Sequence, residues 1–278
     1  MDAGVVASTG HGAGKFDRVL RFPLVWLLVG IVGVGGVSAL TSGGPPALAV
    51  VGAVAAVVVY WLVMRYVARR STPELLSARA VPRALTGVVL GVVFIATSVV
   101  VVLTEFSFTA SSGDKGAIVA TVVAVQLGAA VTEELLFRGL ALQALERLFG
   151  SWVALAVTAV FFGLVHLANP GATLWSSFAI AVEAGVLLGA AFLWCRDIWL
   201  AIGLHFAWNT SVGLLGIPVS GHPGAGVLVA EPTGPDLLTG GGFGLEASIV
   251  PVIVSLVLAV PMLVAARRRG NLVPMRRR

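Results

Sequence analysis

Residues 84–104 read ALTGVVLGVVFIATSVVVVLT, a run of 21 residues without a single charged side chain. As an α-helix this run is about 30 Å long, which matches the hydrocarbon core of a bilayer. The stretch is therefore predicted to cross a membrane as a helix.

The composition of the whole chain extends this prediction. Of the 278 residues, 58% are hydrophobic and only 11% are charged, and the mean hydropathy is +1.00. A soluble domain has about 25% charged residues and needs polar side chains to cover its surface. The low charge also excludes a disordered chain, and the abundant glycines follow no collagen-like period. The chain is therefore predicted to be an all-α, polytopic helical membrane protein.

Eight apolar segments are long enough for membrane-spanning helices, since one span takes about 20 apolar residues. With the N-terminus inside, 17 of the 18 lysines and arginines fall in cytoplasmic segments, and only Lys115 falls outside. Because cytoplasmic loops are enriched in Lys and Arg, we predict that both termini are cytoplasmic. The eight segments are residues 22–41, 46–64, 84–104, 116–134, 152–169, 173–194, 198–216 and 247–266.

The arginine-rich loops also account for the net charge of +5, which would otherwise suggest a nucleic-acid partner. We expect the lipid bilayer as the partner and no nucleic acid, with a multi-pass location in the inner (plasma) membrane of the cell. The single Cys195 excludes intramolecular disulfides and a four-thiolate metal site.

Few ionisable side chains lie within the apolar segments, and they cluster in the second half of the chain. An ionisable group at membrane depth is costly and usually faces an interior cavity. The residues concerned are Glu133, Glu134, Arg138, His166, Glu183 and His205, joined by the amide of Asn209.

Spacing relates several of these residues. Glu134 and Arg138 are four apart, so they are expected either to form an ion pair or merely to end a span as a charge cluster. His205 and Asn209 project from one helix face, toward a polar site or toward an interhelical hydrogen bond. His166 either joins such a site or bonds a backbone carbonyl.

The remaining polar residues are less informative. Glu183 is either a partner of a histidine or a neutral, hydrogen-bonded group, and the sequence leaves both open. His11 and His222 lie in polar segments and are expected to be solvated. Together, the carboxylate, imidazole and amide side chains suit water activation and oxyanion stabilisation, which peptide hydrolysis requires. They would also suit a metal site or the buried charges of a transporter.

Three motifs, Glu133–Glu134–xxx–Arg138, Phe162–xxx–His166 and His205–xxx–Asn209, together resemble the CAAX protease and bacteriocin-processing (CPBP, or Abi) family of intramembrane endopeptidases. The family pattern is EExxxR, FxxxH and HxxxN on separate helices, and all three occur here in order. This family includes the type II CAAX prenyl endopeptidases. The resemblance covers residues 116–215.

The resemblance implies a role for each motif. Glu133 is expected to be the general base that works with His166 on the attacking water. His205 and Asn209 are expected to donate hydrogen bonds to the oxyanion, and the amide of Asn209 can donate at any pH. The ion pair of the first motif is expected to support the shape of the site.

The resemblance leaves the cofactor open, because the family is described both as glutamic and as metal-dependent. No HExxH motif is present, and we favour a site without metal. If a divalent metal such as zinc is required, Glu133, His166 and His205 are the expected ligands.

The leading interpretation is an intramembrane endopeptidase that cuts a membrane-embedded or lipidated protein or peptide. A non-catalytic immunity or partner-binding scaffold and a proton-coupled transporter that uses Glu183 remain as alternatives. The substrate is not readable from the sequence, although the arginine-rich composition looks bacterial and disfavours prenylated substrates.

These expectations divide the chain into five parts. Residues 1–21 form a cytoplasmic tail, residues 22–110 hold scaffold helices and residues 116–215 hold the catalytic core. Residues 217–246, rich in Gly and Pro, are expected to form a mobile extracytoplasmic loop. Residues 247–278 hold the last span and a basic tail. Within the cytoplasmic segment 65–83, two prolines rule out a continuous helix.

One geometric conflict follows from these boundaries. Glu133 lies near the inner end of the fourth span, whereas His166 lies about 20 Å above the inner end of the fifth, if that helix is ideal. The two side chains meet only under one of three conditions. The fourth span starts higher, residues 138–150 form a helix that dips to the inner surface, or the fifth span starts below the core.

Overall fold

The computed structural model describes residues 15–275, which are largely helical. His11 and three C-terminal arginines lie outside the described residues. The long helices are α2 (Pro23–Thr41), α3 (Pro46–Leu62), α4 (Ala80–Val101), α5 (Lys115–Glu134), α7 (Ser151–Val165), α10 (Trp199–Leu214) and α12 (Ile249–Arg268). The short ones are α1 (Lys15–Leu20), α6 (Gln143–Phe149), α8 (Leu174–Ile180), α9 (Gly189–Cys195) and α11 (Asp236–Thr239).

Three π-helical segments lengthen or join these helices. Val63–Val67 continues α3, Leu135–Leu142 joins α5 to α6, and Ala181–Leu188 joins α8 to α9. Seven of the resulting helices in residues 15–275 are long and apolar enough to cross a membrane. They match seven of the eight predicted spans and confirm an all-α, polytopic membrane protein.

The remaining predicted span, residues 198–216 and the seventh along the chain, contains α10, which is shorter than the seven membrane-length helices. Its 16 residues make a helix of about 24 Å, less than the hydrocarbon core. Most of its side chains are buried, and it runs parallel to α4, with Gly203 beside Ala84 and Trp208 beside Gly91. A helix enclosed by protein need not match the thickness of the lipid, which explains its length.

The fourth predicted span, residues 116–134, lies within a helix that is longer than predicted. The helix that begins at Lys115 continues without interruption to Phe149, over 35 residues. It ends at Gly150, whose φ of 81° starts the turn into α7. The charged cluster after residue 132 does not end the helix, because Glu134 pairs within the protein with Arg138 and His205.

This long helix resolves the conflict of heights. Glu133 precedes Phe149 by 16 residues and His166 follows Ser151 by 15, so both lie about 22–24 Å from the turn at Gly150. Of the three predicted conditions, the structure shows the helix over most of residues 138–150.

The segment 65–83, predicted to be cytoplasmic, is anchored by a polar cluster that the sequence did not predict. Glu74 is buried and accepts hydrogen bonds from the hydroxyl of Tyr60 and from Nη2 of Arg70, the latter at 2.9 Å. No helix runs from Ala68 to Arg79, as the prolines predict.

Residues 217–246 are more ordered than the expected mobile loop. Strand β2 (Leu228–Pro232) pairs antiparallel with β1 (Phe106–Ala110), which follows α4. Phe243, Leu245 and Glu246 are buried. The segment therefore packs onto β1 through β2 and onto α8 and α12 through Leu245–Ala247. Apolar residues placed among its glycines and prolines make this packing.

Small residues allow the close packing of these helices, as the spacing of Gly87 with Gly91 and of Gly185 with Gly189 predicts. A Cβ on Gly87 would lie 2.3 Å from the carbonyl oxygen of Leu200, and one on Gly185 would lie 2.6 Å from Cα of Ala159. Since these neighbours are backbone atoms, they cannot move aside locally.

We expect Gly203→Ala to destabilise the protein by about 1–3 kcal/mol, because the new Cβ would lie 2.1 Å from the carbonyl oxygen of Ala84. Thermal unfolding in detergent measures this. Gly36→Ala is the matched control in α2, where a Cβ meets nothing within 4 Å, and it should leave stability equal or higher. Equal effects of the two substitutions would contradict this packing.

Candidate active site

A cavity of about 700 Å³ lies between α5, α7, α10 and the start of the 217–246 segment. Its wall contains Glu133 from α5, His166 from the end of α7, and His205 and Asn209 from α10. The cavity therefore brings together the four predicted catalytic residues. Phe137, Phe162 and Trp208 add an apolar lining.

Beside the cavity, Glu134 is fully buried and accepts two hydrogen bonds at the same oxygen. Oε1 lies 2.8 Å from Nη1 of Arg138 and 2.9 Å from Nδ1 of His205. A buried carboxylate is tolerated when it is paired and hydrogen-bonded. The predicted ion pair of Glu134 and Arg138 is thus confirmed. Through the bond from His205, Glu134 also joins α10 to this pair.

Arg138 carries this network to a third element. Its Nη2 donates to the carbonyl oxygens of Ala184 and Gly185, the latter at 3.4 Å, in the π-helical segment between α8 and α9. Its guanidinium lies over the ring of Phe162, 5.2 Å from the centroid. The side chain is only 2% exposed, so these contacts replace its hydration.

The pairing with Glu134 determines which nitrogen of His205 faces the cavity. An ionised carboxylate only accepts hydrogen bonds, so Nδ1 of His205 carries a hydrogen and donates a hydrogen bond to Glu134. The other nitrogen, Nε2, lies 4.0 Å from Oε2 of Glu133. Nε2 is therefore free to interact with a molecule in the cavity, and it donates when the imidazole is protonated.

His166 is oriented by its own helix. Its Nδ1 lies 2.7 Å from the carbonyl oxygen of Phe162, and its ring stacks on that of Phe162 with centroids 4.7 Å apart. A carbonyl only accepts, so Nδ1 donates and Nε2 of the neutral ring remains an acceptor. Both sequence interpretations therefore hold, since His166 bonds a backbone carbonyl and also lines the cavity.

Gln126 is a cavity residue that the sequence analysis missed. Its Oε1 accepts a hydrogen bond of 3.2 Å from Nδ2 of Asn209. Gln126 precedes Glu133 by seven residues, or two helical turns, which places both on one face of α5. That spacing is the signal that would have identified it.

The 217–246 segment forms part of the cavity wall at the end away from the arginine-rich turns. Ser220, His222 and Glu246 line it, and none was predicted to belong to the site. His222 is exposed, as expected, whereas Glu246 is only 1% exposed. Burial raises the pKa of Glu246 to about 7, against the opposing effect of its hydrogen bonds from Ser220.

Glu183 follows neither of its two interpretations. It is fully buried, and neither carboxylate oxygen has a hydrogen-bond partner among the described residues. It is also absent from the cavity wall. The residues on the cavity wall therefore include members of the three motifs and of the 217–246 segment, but not Glu183.

The possible metal ligands do not form one group. Within residues 15–275, no three His, Cys, Asp or Glu side chains are arranged to hold a metal ion. Glu133, His166 and His205 share the cavity wall, but this arrangement does not fit a three-ligand zinc site.

The geometry defines a polar, multi-helix site inside a helical membrane protein. Comparison with protein families finds a match between residues 115–211 and the family described as type II CAAX prenyl endopeptidase, Rce1-like. The match confirms the resemblance of this segment to the CAAX proteases and contains all three motifs. The 217–246 segment, with Ser220 and Glu246, lies outside the matched residues. Comparison with curated proteins found no match, and neither did comparison with solved structures.

We expect Arg138→Met to destabilise the protein by about 3–5 kcal/mol, because it leaves Glu134 as an uncompensated buried charge. The control Arg65→Met removes an exposed arginine and should change stability by less than about 0.5 kcal/mol. Unfolding in detergent measures both. Adding Glu134→Gln to Arg138→Met should recover part of the loss, and a double variant less stable than the single one would contradict the pairing.

Proposed function

We propose that this protein is an intramembrane endopeptidase of the CAAX type, which hydrolyses peptide bonds of a membrane-associated protein or peptide. One observation carries the proposal: three motifs on α5, α7 and α10 place Glu133, His166, His205 and Asn209 on the wall of one cavity. Peptide hydrolysis inside a membrane needs such a water-accessible polar cavity.

Glu133 is the general base in this proposal. It is half-buried on the cavity wall, where it can take a proton from a water molecule as the water oxygen attacks the peptide carbonyl. His166 holds the same water through Nε2, the acceptor left free by its bond to Phe162. The proton taken by Glu133 then passes to the leaving nitrogen, which completes the hydrolysis.

His205 and Asn209 stabilise the oxyanion of the tetrahedral intermediate. His205 donates through Nε2 as an imidazolium, and the carboxylate of Glu134 at Nδ1 stabilises that charge. Asn209 uses one amide N–H for Gln126 and keeps the second for the oxyanion. Fixed donors in a dry cavity act strongly on developing charge. Glu134 and Arg138 act as positioning residues.

The charge distribution indicates the side from which the substrate comes. The cavity reaches Ala117 at the start of α5 and the segment after Ile217, whereas the arginine-rich turns lie at the opposite helix ends. By the excess of basic residues on cytoplasmic sides, the cavity opens toward the extracytoplasmic side. We infer a location in the inner (plasma) membrane and a substrate in its outer half.

Cleavage of a membrane-spanning peptide by the purified full chain in liposomes tests the proposed activity. Glu133→Gln and His205→Ala are each expected to slow cleavage by at least about 100-fold, since one removes the base and the other an oxyanion donor. Glu231→Gln, the same change at an exposed site on β2, should cut like the wild type.

Equal cleavage by wild type and Glu133→Gln would overturn the assignment. If the wild type cuts nothing and a cellular phenotype survives Glu133→Gln, a binding scaffold is supported instead. Proton-coupled uptake that Glu183→Gln abolishes would support a transporter.

Cysteine labelling on intact cells tests the orientation. In a Cys195→Ser background, a membrane-impermeant maleimide should label Ser112→Cys, which follows β1, and should spare Ser71→Cys in the cytoplasmic segment. Both serines are exposed. Labelling of Ser71→Cys alone would reverse the orientation.

A further inference from the structure

The buried carboxylates of the protein share a pattern from which Glu246 departs. Four of them pair with an arginine: Glu134 with Arg138, Glu146 with Arg196, Glu74 with Arg70 and Asp197 with Arg83. Glu183 and Glu246 have no cationic partner among the described residues, and of these two only Glu246 lines the cavity. Glu246 therefore lacks an arginine partner at a position in the cavity that a substrate can reach.

We propose that Glu246 binds a positively charged side chain of the substrate, so that the enzyme prefers peptides with Lys or Arg near the cleaved bond. The inference rests on the proposed peptidase function and adds its substrate class. It concerns a residue outside the segment that matches the endopeptidase family.

The carboxylate has an oxygen available for such a group. Oε2 of Glu246 accepts from the backbone N–H of Ser220 and, at 2.9 Å, from its hydroxyl. No described residue donates a hydrogen bond to Oε1. Because a buried carboxylate with unused acceptor capacity is costly, an ammonium or guanidinium group fits the unfilled position.

The whole cavity has the charge that such a substrate requires. No lysine or arginine is on its wall, and its ionisable residues are two glutamates and three histidines: Glu133, Glu246, His166, His205 and His222. With His205 charged and the other two imidazoles neutral, the two glutamates still leave the wall negative, and clefts lined by one sign of charge attract the opposite sign.

Glu246 also shares the cavity wall with Glu133 and His205, two residues of the proposed chemistry. In agreement, the charge of Glu133 raises the pKa of Glu246 and that of His205 lowers it. A cavity of about 700 Å³ is within the usual range for sites that enclose a ligand. A cationic side chain of the substrate bound at Glu246 would therefore hold the neighbouring peptide bonds in the cavity that contains Glu133 and His205.

A structural role for Glu246 competes with this proposal. Ser220 has a φ of 48°, a left-handed conformation that is uncommon for serine, and its bonds to Glu246 hold it there. The two roles separate by substitution. Glu246→Gln keeps an acceptor for Ser220 and removes the charge, whereas Ser220→Ala removes the hydroxyl bond and keeps the charge.

The test uses membrane-spanning peptides that differ only by Lys, Gln or Glu at each position around the cleaved bond. Products are mapped by mass spectrometry for the wild type and both variants, in liposomes. At one or more positions the wild type should cut the Lys peptide at least about tenfold faster than the Gln peptide. Glu246→Gln should bring that ratio close to one, and Ser220→Ala should keep it.

Each other outcome is decisive. A wild type that cuts the three peptides equally overturns the proposal alone, even if Glu246→Gln fails to fold. A ratio lost equally in Ser220→Ala assigns Glu246 to loop structure. A wild type that cuts no peptide overturns the peptidase function itself, which distinguishes the two failures.

Discussion

One buried carboxylate, that of Glu134, organises the site. In a low-dielectric interior a charge must be paired and hydrogen-bonded, and Glu134 meets this requirement through Arg138 and His205 at a single oxygen. The same arginine holds two carbonyls between α8 and α9. The need to satisfy one charge therefore fixes the long helix, α10 and the α8–α9 pair relative to one another. It also sets the tautomer of His205 and so directs Nε2 toward the cavity.

The charges of the protein fall into three groups with different uses. Most arginines lie at one end of the bundle and bias its orientation in the membrane. Others, such as Arg70 and Arg196, neutralise buried carboxylates, those of Glu74 and Glu146. The third group lines the cavity and includes acids but no lysine or arginine. Of the two buried carboxylates without an arginine partner among the described residues, Glu183 and Glu246, only Glu246 therefore lies where a substrate can reach it.

The sequence predicted the membrane helices and the site, and it failed where contacts join distant segments. Residues four apart on one helix, such as Glu134 with Arg138, are local patterns and were predictable. The full length of the helix that begins at Lys115 was not, because a charge cluster looks the same at a membrane surface and in a buried network. Glu246 looked like a loop charge, since its burial depends on the packing of Leu245–Ala247 against α8 and α12. Gln126 could have been found from its seven-residue spacing to Glu133.

We propose that Glu134 positions a charged His205 for peptide hydrolysis. Steady-state cleavage of a membrane-spanning peptide by the wild type and by Glu134→Gln is the decisive measurement. We expect a folded variant whose KM stays within about twofold and whose kcat falls by about 10–100-fold, because Glu134 stabilises the charge on His205 that acts on the oxyanion and not on substrate binding. A folded variant with the kcat of the wild type would contradict it.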